Sequence, residues 1–229
     1  MPSMSGIRVR LLGLVLAVTA IAGCSPGGGE RPGETLPPAG DLLKKSATAM
    51  SGLKSVGFRI ETEGEAPVPL KRAEGRLAAS GDAQGSLQMD QLGQRMEMEF
   101  VVVGDDVYFK GPTGGYQKQP RQLTTAIYDP AAILDAERGV PKLLATATNA
   151  KTAAREDVNG RPAYRVNGTL AQQTLGALVP GITAPITGDM WIDSADNRLL
   201  KAKLPVAPGA VVVHFSDFDA PVDIKAPAG

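Results

Sequence analysis

The chain has 229 residues, 24 basic and 24 acidic, with one histidine and one cysteine. A balanced charge leaves no basic footprint and argues against a nucleic-acid binder, and a lone cysteine excludes an internal disulfide. One histidine and no spare cysteine leave zinc sites of the usual His/Cys kind unsupported, and no cofactor is expected.

Arg8 and Arg10 are the only charges before Cys24, and the apolar run Leu11–Ala20 follows them. A positive start, a short apolar stretch and small residues at its end are the marks of an export signal. The run is shorter than the roughly 20 residues a membrane span needs, so residues 1–23 are expected to be cut away. The segment Ile21-Ala-Gly-Cys24 resembles the lipobox of bacterial lipoproteins, with Ile in place of the usual Leu. That resemblance implies lipid attachment at Cys24, cleavage before it, and a chain tethered to the outer face of the cell membrane. Two or more acyl chains anchor stably, at about 0.8 kcal/mol per buried CH₂. Loss of the two arginines leaves 22 basic against 24 acidic residues. Residues 24–40 are rich in Gly and Pro and read as the acylated start and a flexible tether. A single domain is expected over 41–229.

Asp41 begins a helix as its cap, with Leu42, Leu43, Ala47, Met50 and Leu53 at helical spacing. From Val56 the period becomes two: Val56, Phe58, Ile60 and Thr62 alternate with Gly57, Arg59, Glu61 and Glu63, as in a strand with one wet face. Pro67 and Pro69 break it, a second strand runs over 70–79, and Ser80-Gly81-Asp82 turns the chain. Leu87 and Met89 lie on a third strand, Leu92-Gly93-Gln94 turns, and Met96, Met98, Phe100 and Val102 alternate on a fourth. Gly104-Asp105-Asp106 turns back into Val107–Lys110, and a short strand follows near Tyr116. This is an antiparallel meander.

Asp129-Pro130 has the form of an N-cap with proline at the first helical position, leading into a helix over 131–135. Gly139-Val-Pro141 restarts a second helix carrying Leu143, Leu144 and Ala147. Strands over 150–157 and 162–169 flank Asn159-Gly160, a strong hairpin signal. Gln172–Leu178 reads as a short helix ended by Pro180-Gly181. Strands at 186–193, 198–204 and 210–218 close the chain. Runs of antiparallel strands with inserted helices indicate an α+β fold, one curved sheet with helices on one face.

Catalytic groups are missing. His214 points outward if Val213 and Phe215 point inward, and no partner histidine exists. Gly23-Cys-Ser-Pro-Gly27 matches the nucleophile-elbow pattern by letter only, because cleavage after Gly23 would destroy it. Asp105-Asp106, and Asp217 with Asp219, read as solvated turn acids. No enzyme activity is expected. The inward set is rich in methionine (89, 96, 98 and 190), which suits an acyl-chain cavity or an ordinary core equally.

Five segments carry a further resemblance: 127–134 with Arg138-Gly139, 143–149, 155–160, 188–193 with Leu199, and 215–222. In order and spacing they are similar to the mycobacterial and actinobacterial lipoprotein family that includes LprG, LprA, LprF and LppX. The resemblance implies a half-barrel of antiparallel strands with helices over its concave face and a lipid cavity between. It also implies a carrier of acylated lipids or glycolipids, triacylated species among them, acting beside an export pump. By that architecture the cavity walls are Phe58, Ile60, Leu77, Leu87, Met89, Met96, Met98, Phe100 and Val102 from the sheet. Leu134, Leu143, Leu144 and Leu178 come from the helices. The alternatives are a solid-core scaffold or accessory lipoprotein, and a hydrolase of cell-wall lipids.

Overall fold

A computed structural model describes residues 35–91, 94–125, 130–179 and 182–228. The expected signal, Cys24, most of the tether, the Leu92-Gly93 turn, the Asp129 cap and the Pro180-Gly181 stop lie outside the described residues.

Among the described residues eleven strands form one open antiparallel sheet, in the order β6-β5-β4-β3-β2-β1-β11-β10-β9-β8-β7. They are β1 (Ser55–Glu63), β2 (Leu70–Ala78), β3 (Ala83–Gln91), β4 (Gln94–Val103), β5 (Asp106–Lys110), β6 (Gln117–Pro120), β7 (Thr148–Val158), β8 (Arg161–Leu170), β9 (Ile186–Asp193), β10 (Leu199–Val206) and β11 (Gly209–Ser216). Strands consecutive in sequence are neighbours in the sheet except β6 and β7, which form its two edges, and the sheet is joined at its centre by the pairing of the first strand with the last. That join sets Phe58 against Phe215 and Ile60 against Val213. At the β7–β8 turn Asn159 and Gly160 both take positive φ, as the hairpin signal requires.

Among the described residues four helices accompany the sheet: α1 (Ala39–Ser51), α2 (Arg121–Thr125), α3 (Val140–Ala145) and α4 (Gln172–Leu178). The first begins two residues before the expected Asp41 cap. Pro38 stands at the cap, and Asp41 lies in the first turn, where its charge favours the helix N-terminus. The folded body reaches back into the expected tether: Ala39 is buried, and the Pro37 carbonyl accepts a hydrogen bond from Thr152 Oγ1 at 2.6 Å. Leu42, Leu43, Ser46 and Met50 form the buried stripe of α1, which packs on α3 and touches β7 and β9.

The helix expected over 131–135 is only a 3₁₀ turn, Pro130–Ile133. Asp135 stops it by accepting from the backbone N–H of Glu137 (2.8 Å) and Arg138 (3.0 Å). Gly139 is needed just beyond, because a Cβ there would collide with the carbonyl oxygens of Ala132, Ile133 and Asp135. The helix α2 has no counterpart in the sequence reading.

The main core gathers Leu42, Leu43 and Met50 of α1, Leu143 and Leu144 of α3 and Leu175 of α4. They meet Val56, Phe58, Val166, Met190, Val211 and Phe215 of the sheet. Each such side chain contributes roughly 1.5–3 kcal/mol on leaving water. Within β2 and β3, Gly75 lies opposite Gly85, flanked by Phe58 and Phe100 on the neighbouring strands. A Cβ on either glycine would strike the facing backbone, so the two strands approach here only because side chains are absent.

On the opposite face a smaller cluster joins Ala163, Trp191 and Leu200, with Val158 and Phe218 packed against it. Cations cover it: Arg198 and Arg161 lie 5.1 and 5.6 Å from the Phe218 ring, and Lys201 Nζ lies 4.7 Å from Trp191.

Candidate functional site: an apolar pocket between sheet and helices

The alternation of β1 and β8–β11 sends one set of side chains toward the helices, and a pocket lies between the two layers. Its floor is Phe58 and Ile60 of β1, Val213 and Phe215 of β11, Leu199, Ala202 and Leu204 of β10, Met190 of β9 and Leu170 of β8. Its roof is Val140, Leu143 and Leu144 of α3, Leu175 and Leu178 of α4, Val179, and Ile133 of the 3₁₀ turn. Among the described residues every lining side chain is hydrocarbon, aromatic or thioether. The void measures about 60 Å³, room for about four to six water-sized spheres.

Of the residues expected to form cavity walls, Phe58, Ile60, Leu143, Leu144 and Leu178 line this pocket. The other eight do not. Leu77 and Val102 are 0 and 2 % exposed and pack in the main core, in the register row of Val56, and Phe100 and Leu134 are buried in that core as well. Leu87, Met89, Met96 and Met98 are half-buried on β3 and β4, to one side of the pocket. The reason is topological: the pocket sits over the β1–β11 join, whose far partners come from the end of the chain. Sequence reasoning missed Ile133, Val140, Leu170, Leu175, Val179, Met190, Leu199, Ala202, Leu204, Val213 and Phe215 as lining residues. Alternation along β9–β11 signals that the strand members face inward, but not that they face a void.

The polar groups considered for catalysis have structural partners or stand apart. The His214 side chain points away from the pocket, on the face that carries Arg59 and Lys201, its register partners. Burial and then the Lys201 charge lower its pKa, which favours the neutral imidazole at neutral pH. Asp106 pairs with Lys118 at 2.7 Å. Asp219 accepts from Arg198 (2.6 Å) and from the Lys54 backbone N–H (2.8 Å). Among the described residues no group of three His, Cys, Asp or Glu side chains is placed to hold a metal.

Three of the segments that carry the family resemblance meet on the face opposite the pocket. Glu156 accepts from Trp191 Nε1 at 2.6 Å and from Arg165 Nε at 2.8 Å. Asp193, 2 % exposed, accepts from Arg161 Nε at 2.7 Å and from the backbone N–H of Ala195 at 2.7 Å. These contacts fasten β7, β8 and β9 to one another, and the Arg198–Asp219 pair adds the C-terminal segment.

An open antiparallel sheet, carrying a few short helices over an apolar pocket, defines the class of fold. Two solved structures share the arrangement of sheet and helices: LprF from Mycobacterium bovis (TM-score 0.75, 24% identity, 83% of this chain and 97% of that one) and LppX from Mycobacterium tuberculosis (TM-score 0.62, 20% identity, 82% and 98%). The family model of the LppX_LprAFG lipoproteins matches residues 38–224, and the chain belongs to that family. Its relatives include the lipoarabinomannan carrier protein LprG of Mycolicibacterium hassiacum, 31% identical over 95% of this chain and 96% of the relative. The protein of the same name in Mycolicibacterium smegmatis is 29% identical over 94% and 93%.

Proposed function

We propose that this chain is a non-enzymatic lipid carrier, anchored to the outer face of the cell membrane through acylated Cys24, that moves acylated lipids or glycolipids across the envelope. The wholly apolar pocket between sheet and helices is the observation that carries this reading, and relatives named as lipoarabinomannan carriers support it. A 16-carbon chain in water costs on the order of 12 kcal/mol at about 0.8 per CH₂, so escape from a membrane is slow. A pocket that offsets this cost makes transfer feasible with no covalent chemistry. In this reading the sheet is a half-barrel and the helices cover its concave face. Leu87, Met89, Met96 and Met98 continue the wall beyond the pocket, and an export pump is the partner.

The void of about 60 Å³ is smaller than the volume of such a chain, whose methylenes are each about the size of a water. Loading therefore displaces the roof, which consists of short elements: α3 has six residues and α4 seven. The same small void favours the scaffold alternative, a lipoprotein with a nearly solid core. Native mass spectrometry and lipid extraction of a Cys24→Ala form decide between them. Co-purifying acyl lipid is expected; a chain that retains none after loading from detergent supports the scaffold and overturns the carrier.

A further inference from the structure

On the apolar face of β1–β4, burial falls in one direction. The register row Val56, Leu77, Ala83 and Val102 is 0–2 % exposed. The row Phe58–Gly75–Gly85–Phe100 is next. The row Ile60, Ala73, Leu87 and Met98 follows, half-buried except for Ala73, and the last row, Leu70, Met89 and Met96, is half-buried throughout. We propose that this open end, at the β3–β4 hairpin, is the surface that meets a lipid bilayer, and that acyl chains cross it on their way to the pocket. The proposal rests on the reading of the pocket as an acyl-chain site.

Continuity comes first. Ile60 lines the pocket and begins the row that ends at Met98, three strands away, or about 14 Å at the usual spacing. A chain leaving a membrane thus has an unbroken apolar track to the pocket wall. The chemistry of the track comes second. Leu87 faces Met98 and Met89 faces Met96 across the hairpin, and flexible, polarisable thioethers adapt to a mobile chain better than branched side chains do. Charge comes third. Lys71 and Arg95 share Asp90, each at 3.7 Å, and the Arg95 side chain is 70 % exposed. Long basic side chains beside an apolar lip suit lipid phosphates above and acyl chains below. Arg95, Glu97 and Glu99 alternate with Met96 and Met98 and project from the other face of the strand, which makes the hairpin amphipathic.

The test uses the full chain with Cys24→Ala and one new cysteine, Met96→Cys or Glu97→Cys, carrying an environment-sensitive fluorophore. Vesicles of phosphatidylcholine with a minority of phosphatidylglycerol are added. A blue shift at 96 and none at 97 is expected. Equal responses at the two positions, or none at 96, would overturn the proposal. A second arm uses unlabelled Met89→Gln/Met96→Gln: lipid uptake from vesicles should fall about tenfold, while lipid loaded from detergent is still retained. Unchanged uptake refutes the track. A chain that responds at 96 yet retains no lipid from detergent overturns the pocket reading and leaves the bilayer surface supported.

Discussion

Ala202 lies on the pocket floor between Met190 and Val213, and Ala202→Leu separates filling the pocket from damaging the fold. The added carbons occupy about three water-sized sites, and the void of about 60 Å³ holds about four to six. Burying them contributes up to about 2.4 kcal/mol. Side-chain ordering takes back about 0.5–1 kcal/mol, and repacking of neighbours costs roughly 1–3 kcal/mol. The terms sum to between about +1 and about −1.6 kcal/mol, so the melting temperature should move by no more than about 6 °C for a domain of this size. Bound lipid loses the same space, and the loss of about three methylene contacts weakens retention about 50-fold. Thermal melts and native mass spectrometry of the detergent-loaded protein read the two effects. Unchanged lipid retention with an unchanged melting temperature would refute the placement of acyl chains in this pocket. A large drop in melting temperature would refute the packing estimate.

Two further outcomes concern the face opposite the pocket. Glu156 is held below the ordinary carboxylate range: burial pushes its pKa up, but the Trp191 indole and the Arg165 guanidinium outweigh it. A depressed carboxylate stabilises the fold above its unfolded pKa, and this contribution is lost as pH falls through the folded value. Urea midpoints of the wild type and Glu156→Gln, compared from about pH 7 to about pH 3, should therefore converge in acid; a constant gap would contradict the charge contribution. Asp193→Ala removes a buried acceptor from Arg161 and from two backbone N–H groups, those of Ala195 and Asp196. It should cost about 3 kcal/mol, with Asp193→Asn recovering part of it; a urea-derived loss below about 1 kcal/mol would sink that account.

Local patterns were legible where local physics decides the outcome. The helix Gln172–Leu178 and the strand Ile186–Asp193 occur with the bounds the sequence suggests, because each is framed by turn residues and carries a single clear period. The helix α2, five residues long with no apolar stripe, left no pattern to read, and the 3₁₀ turn replaced a helix because Asp135 and Gly139 close the chain early. The pocket was only half legible. Phe58 and Ile60 follow from alternation, but their neighbours Phe215 and Val213 depend on the pairing of the first strand with the last. Alternation assigns a face and does not say which inward residues meet a void and which meet one another. Met96 and Val102 share a face and a strand, yet one is half-buried near an open end and the other is sealed in the core.

The resemblance that identifies the family is informative about the frame more than the cargo. Trp191, Asp193, Glu156 and Asp219 belong to the matched segments, and each is occupied in holding strands and the C-terminal segment together on the face away from the pocket. Among the described residues the pocket itself offers only hydrocarbon, aromatic and thioether side chains. Such a lining discriminates by length and shape, at roughly 1–3 kcal/mol per methylene, and has no donor or acceptor with which to tell one headgroup from another. Relatives can therefore share the same joints and differ in cargo through a few changes of side-chain volume at positions such as Ala202, Met190 and Leu204. On the carrier reading proposed above, any choice between a glycolipid and a plain acylglycerol has to be made outside the pocket, where a headgroup would remain once the chains are buried.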